Sequence, residues 1–186
     1  MKQGLTEFLF EIGQLKRVRR SGWWLAGIRD AESVADHSYR TAVIAYLLAQ
    51  LEGADGGKAA ALALFHDTAE TRVNDLHRLG KSYVDWSGVE AKVVEDQVSG
   101  LPEKLAESIR SLTAEVRAKE STEARIVKDA DQLECLLQAR EYAEQGYDVE
   151  EWIRNATDSL TTESAKAIAR DALEISPASW RERTAE

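Results

Sequence analysis

The chain has 186 residues, 44% hydrophobic, 31% charged and 7% aromatic, and its 24 Lys and Arg against 33 Asp and Glu give a net charge of −9. That length fits one domain that can bury a sizeable core unaided, while the acidic balance argues against nucleic acid or anionic membrane as the main partner. One cysteine, Cys135, excludes an internal disulfide framework and suits a reducing compartment.

Apolar residues recur at spacings of three and four, the mark of amphipathic helices. Leu5, Phe8, Ile12 and Leu15 begin the pattern. Val34, His37, Thr41, Ile44, Leu48 and Leu51 form a second segment that stops at the glycines of residues 53–57. Ala59, Leu62, His66, Ala69 and Val73 make a third. After a looser stretch at 80–88, residues 89–98 form a fourth candidate. Pro102 suits the first turn of a fifth, whose face is Leu101, Leu105, Ile109, Leu112 and Val116. Ser121 is an N-cap candidate with Glu123 in the first turn, and the helix it opens runs through Val127, Ala130, Leu133 and Leu137 to about Gln145. A short helix from Val149 and a last one from Thr162 to Ile175, stopped by Pro177, complete the set. The expected fold is all-α, a compact single-domain bundle of about six to eight helices. The longest apolar runs, residues 42–49 and 59–65, fall far short of the roughly 20 residues of a membrane span. The opening MKQGLTEFLFEIG lacks the apolar core of a secretory signal, so the expected setting is cytoplasmic.

Polar residues interrupt the apolar stripes. His37 points inward with Val34 and Thr41, and His66 with Leu62 and Val73. Asp67 adjoins His66, and Asp131 follows Val127 by one helical turn. A buried carboxylate needs a partner, hydrogen bonds or a metal. Periodicity alone leaves two readings open: core histidines hydrogen-bonded to carbonyls, or a shared cation gripped from three helices.

The words around these residues narrow the choice. Residues 32–37 (ESVADH), 65–70 (FHDTAE), 74–76 (NDL) and 128–134 (KDADQLE), with 15–23 (LKRVRRSGW) upstream, resemble the HD-domain metal-dependent phosphohydrolases, and within them the YfbR-like 5′-deoxynucleotidases. The similarity runs over about residues 5–146, and residues 147–186 carry no motif. The resemblance implies that His37, His66, Asp67 and Asp131 bind one divalent transition metal, Mn²⁺, Co²⁺, Fe²⁺, Ni²⁺ or Zn²⁺, a set that imidazole and carboxylate do not separate. Asp129 is the alternative last ligand. Glu70, one helical turn beyond His66 and Asp67, is expected to position or activate the nucleophile, and Asp75 to shuttle a proton. The resemblance also assigns phosphate to Arg20, in the basic run of Lys16, Arg17, Arg19 and Arg20, and sugar packing to Trp23, with Trp24 as the alternative ring. His77 is expected to be an ordinary loop residue. The implied function is phosphate removal from (deoxy)nucleoside 5′-monophosphates. Another phosphoester substrate, or a non-catalytic metal- or nucleotide-binding role, remains as an alternative. The apolar faces of residues 89–98 and 101–116 exceed what a thin bundle needs, and relatives tend to dimerise, so a homodimer is expected.

Overall fold

A computed structural model describes residues 2–183. Among them are ten α-helices and three short 3₁₀ helices, and no β-strand. The count passes the expected six to eight because α4 (Glu70–Val73) and α5 (Arg78–Lys81) are single turns. The others are α1 (Lys2–Ile12), α2 (Val34–Leu51), α3 (Gly56–Phe65), α6 (Trp86–Val98), α7 (Glu103–Ala118), α8 (Thr122–Glu144), α9 (Glu150–Asp158) and α10 (Glu163–Glu174). No described helix is long and apolar enough to cross a membrane.

Local chemistry accounts for the helix starts. Ser33 and Asp36 form a reciprocal capping box at the start of α2, and Ser121 accepts from the Ala124 N–H at the start of α8, as its sequence position predicts. Pro102 stands one position before α7, at its N-cap.

Helix α8 is the central element, packed against α2, α3, α7, α9 and α10. Its contacts with α2 and α3 are rich in alanine: Ala45 and Ala49 on α2, Ala59 and Ala63 on α3, and Ala130 on α8 are all buried. Small side chains let helix axes approach closely, and Leu48, Leu62 and Leu133 fill the remaining space. That close approach lets short side chains from three helices meet. The faces of α6 and α7 that looked surplus in the sequence are covered internally, where Val94, Val98 and Ala106 pack with Leu101 and with Phe8 of α1.

The third predicted helix does not run unbroken to Val73. It ends at Phe65, and the chain continues with tighter bonds, Glu70 N–H to the Asp67 carbonyl at 3.0 Å and Arg72 N–H to that of Ala69 at 3.1 Å. Two side chains compete for the carbonyls that would have continued the α-helix: His66 Nδ1 takes Ala63 (2.6 Å) and the Thr68 hydroxyl takes Phe65 (3.1 Å). A tightened turn of this kind often marks a functional position.

Candidate metal centre

His37 lies in the first turn of α2, His66 and Asp67 in the tightened turn after α3, and Asp131 midway along α8. The ring centroids of His37 and His66 are 5.4 Å apart. His37 Nε2 is 3.2 Å from Asp131 Oδ1 and 3.8 Å from Asp67 Oδ2, and His66 Nε2 is 3.0 Å from Asp67 Oδ2. Ligand-type atoms of His37, His66 and Asp67 all lie within 4.8 Å of one another, and Asp131 adjoins this trio through His37.

Both imidazoles are oriented from behind. His37 Nδ1 donates to Glu134 Oε2 at 2.5 Å, and His66 Nδ1 to the Ala63 carbonyl, which turns both Nε2 atoms toward the carboxylates. Glu134 also accepts from Arg40 Nε at 2.9 Å, and Arg40 reaches Gln138 and Glu141 as well. An imidazole held through Nδ1–H with Nε2 presented inward is the arrangement seen behind metal-ligating histidines. His66 Nε2 and Asp67 Oδ2 are buried and, although 3.0 Å apart, make no well-aligned hydrogen bond to each other or to any other group, which is costly for a polar atom. A divalent cation supplies the missing partner, so these residues fit one. Burial and Arg20 oppose charge on His37, but Glu134 and Asp131 outweigh them and raise its pKa to about 10. A cation at Nε2 must therefore displace a proton. Burial opposes charge on Asp67 too, yet His66, Arg20 and His37 hold its carboxyl well below the usual range.

Around this cluster stand the other predicted residues. The Arg20 guanidinium lies 3.6 Å from Asp67, 3.8 Å from Asp75 and 3.8 Å from Asp131. Burial works against its charge, but these carboxylates hold its pKa well above the ordinary value. Arg20 is positioned by a loop that the sequence does not reveal. An antiparallel bridge between Arg19 and Ser33 closes residues 19–33, with Arg20 N–H bonded to the Glu32 carbonyl at 3.1 Å. Glu70 is 1% exposed, neither of its carboxyl oxygens has a hydrogen-bond partner, and its nearest cation is Lys81 Nζ at 3.9 Å. Burial, with Asp67 and Asp75 adding to it, pushes its carboxyl well above the usual range. Asp75 accepts from the Ser21 N–H at 2.5 Å. It follows Asn74, whose φ of +61° is rare outside glycine and directs the next residue back into the cleft.

A cavity of about 490 Å³ opens beside Arg20, Asp67, Asp75 and Asp131, with Trp23 and Trp152 along its wall. Trp23 is buried: its indole Nε1 donates to Glu32 at 3.0 Å, its ring meets Tyr142 edge-on at 5.0 Å and stacks on Trp152 at 6.0 Å. Trp24 is 54% exposed and does not line this cavity. His77 lies on the cavity wall and also caps α5, accepting from the Gly80 N–H at 3.2 Å.

Asp129, the alternative last ligand, is committed elsewhere. Its buried carboxylate accepts from the backbone N–H and hydroxyl groups of both Thr161 and Thr162, and so anchors the start of α10. Sequence reasoning did not assign Glu134, Arg40 or Glu32 a part in the cluster. Arg40 follows His37 by three residues and Glu134 follows Asp131 by three, so helical spacing already put each beside a candidate ligand.

The HD domain family model matches residues 12–173. The chain is 38% identical over 141 residues to the 5′-deoxynucleotidase HDDC2 of Bos taurus, covering 75% of this chain and 68% of that protein. Among solved structures, a conserved hypothetical protein from Pyrococcus furiosus has a TM-score of 0.76 at 30% identity, covering 91% of this chain and 99% of that one. A predicted metal-dependent phosphohydrolase from Magnetospirillum magnetotacticum has a TM-score of 0.69 at 25% identity, covering 92% and 93%. A family match over most of the chain, joined to histidines and aspartates that meet at one point in an all-α fold, places this protein in the HD domain family.

Proposed function

We propose that the protein is a metal-dependent phosphohydrolase that removes phosphate from nucleoside 5′-monophosphates, deoxyribonucleotides above all. In this reading His37, His66, Asp67 and Asp131 hold one divalent transition metal. When bound, such a metal polarises the phosphoryl group and lowers the pKa of a coordinated water.

The chain's own side chains supply the rest. Arg20, buried among three carboxylates, offers the phosphate a guanidinium with donors already aimed into the cleft. Glu70 has a raised proton affinity and two free oxygens, which suit it to take a proton from the attacking water. In the same reading Asp75, held by the Ser21 N–H, passes the proton taken from the water on to the leaving 5′ oxygen. Trp23, braced by Glu32 and Trp152, gives the sugar a rigid wall. The single observation that carries this reading is the convergence of His37, His66, Asp67 and Asp131 beside Arg20, with His66 Nε2 and Asp67 Oδ2 buried and without a hydrogen bond. The 5′-deoxynucleotidase name of the bovine relative supports the choice of substrate.

The protein acts as a cytoplasmic homodimer with one HD domain per subunit, on a small-molecule nucleotide and not on nucleic acid or membrane. An exposed apolar stripe along α2 (Tyr39, Val43, Tyr46, Leu47 and Leu51) supports self-association. The test of the activity is phosphate release from a panel of ribo- and deoxyribonucleotides with Mn²⁺ or Co²⁺. Release from deoxynucleoside monophosphates is expected, and no release from any nucleotide by metal-loaded protein would refute it.

A further inference from the structure

A second cavity, of about 340 Å³, lies on the other side of the metal cluster. It shares Asp67, Lys81, Lys119 and Asp131 with the larger cavity, so the two are lobes of one cleft that meet at the candidate ligands. Their chemistry differs. The larger lobe has Trp23 and Trp152 with Arg20, Arg78 and Asp75, whereas the smaller adds Arg117, Lys128, Trp86 and one carboxylate, Glu90, to the shared Lys81 and Lys119. Glu90 accepts from the Trp86 indole at 2.5 Å, and Trp86 in turn carries the Lys81 ammonium 4.8 Å above its ring.

Four cations around one pocket are conspicuous in a chain of net charge −9. Some basic side chains elsewhere are matched, Arg40 to Glu134, Arg72 to Glu11, Arg110 to Glu95 and Lys58 to Glu115 among them. Arg117, Lys119 and Lys128 make no salt bridge among the described residues. Lys119 is also held at φ +57°, a left-handed conformation that glycine adopts freely and that disfavours residues with a side chain. That residue closes α7, where glycine is the common choice, so a side chain is retained at a position that disfavours one.

From this we infer that the smaller lobe is a phosphate-binding subsite separate from the position at which the phosphoester is cleaved. The inference rests on the phosphohydrolase reading for its account of the neighbouring lobe. The shared chemistry is a phosphate oxyanion, and it has two sources: terminal phosphates of a nucleoside di- or triphosphate, or orthophosphate leaving after the cut. At about 30 Å³ of liquid volume per water, the lobe has room for about ten waters, ample for one or two phosphate groups.

Calorimetric titration of the full-length, Mn²⁺-loaded protein separates these cases, with Mn²⁺ matched in cell and syringe. If the lobe takes a polyphosphate tail, tripolyphosphate binds at least tenfold more tightly than orthophosphate. If it takes departing product, two orthophosphates bind per chain. In either case the Arg117→Gln/Lys128→Gln double variant, whose changed side chains break no salt bridge, loses the gain in affinity or the second site. One orthophosphate per chain with no preference for tripolyphosphate overturns the proposal, as does a wild-type pattern that persists in the double variant. Neither readout uses a nucleotide. Variant-sensitive anion binding without dAMP hydrolysis would sink the substrate assignment and spare the subsite.

Discussion

Glu134 accepts the Nδ1 proton of His37 at 2.5 Å, and both side chains have no exposed surface. The two lie 97 residues apart on different helices, α2 and α8. Removing this acceptor frees the imidazole to rotate and lowers its basicity, the usual effect of losing a partner behind a metal-binding histidine. Glu134→Ala is expected to weaken Mn²⁺ or Co²⁺ binding by about 10–100-fold. Competition titration with a chelating dye measures it, and an unchanged affinity would show that Glu134 serves packing alone.

Glu70 and Asp67 should separate turnover from metal. Asp67→Ala is expected to lose both bound metal and phosphate release. Glu70→Gln is expected to keep the metal and lose about 10²- to 10⁴-fold in kcat, the range for one acid–base group. Metal analysis and steady-state kinetics on the same preparations check this, and a Glu70→Gln protein with wild-type kcat would remove Glu70 from the chemistry.

The two aspartates of α8 should fail in opposite ways. Asp129→Ala strands the buried donors of Thr161 and Thr162 and is expected to cost about 2–3 kcal/mol of stability, while its metal content stays near wild type. Asp131→Ala is expected to lose metal affinity with little loss of stability in metal-free protein. Urea denaturation beside metal analysis distinguishes them. A stable, metal-free Asp129→Ala protein would restore Asp129 as a ligand.

Glu11, which is not one of the proposed ligands, provides a pH test. Its hydrogen bond to Arg72 holds its carboxyl below the usual 4.5, with Gln97 and Thr71 adding to the effect. A carboxylate with a depressed folded-state pKa contributes stability that is complete above 4.5 and lost as pH falls through the lower folded value. The partly exposed pair warrants only about 0.5–1 kcal/mol. Glu11→Gln should therefore be less stable than wild type at pH 7, with the gap closing as pH falls below 4.5. A gap that stays constant across that interval would contradict the account.

How much of this was legible in the sequence follows from the range of the interactions involved. Helices α2 and α8 are 18 and 23 residues long and carry long apolar stripes interrupted by single polar residues, so their existence and their inward His37 and Asp131 could be read locally. The HD dipeptide on the third stripe was visible too, but the break after Phe65 was not. That break depends on side chains taking carbonyls a helix would otherwise use. Arg20 meets three aspartates only because the Arg19–Ser33 bridge folds the 19–33 loop back over the cluster, and no local pattern encodes such a pairing. Trp23 was legible as an aromatic beside the site but not as a buried ring braced by Trp152, which lies on α9.

The central claim is that one cation joins residues from α2, α8 and the turn after α3. An anomalous-difference map from crystals grown with Mn²⁺ tests it most directly. The account predicts one strong peak about 2.0–2.3 Å from the Nε2 atoms of His37 and His66 and from carboxylate oxygens of Asp67 and Asp131. Saturating Mn²⁺ that leaves no peak among these four side chains, or binds only elsewhere on the molecule, would contradict it.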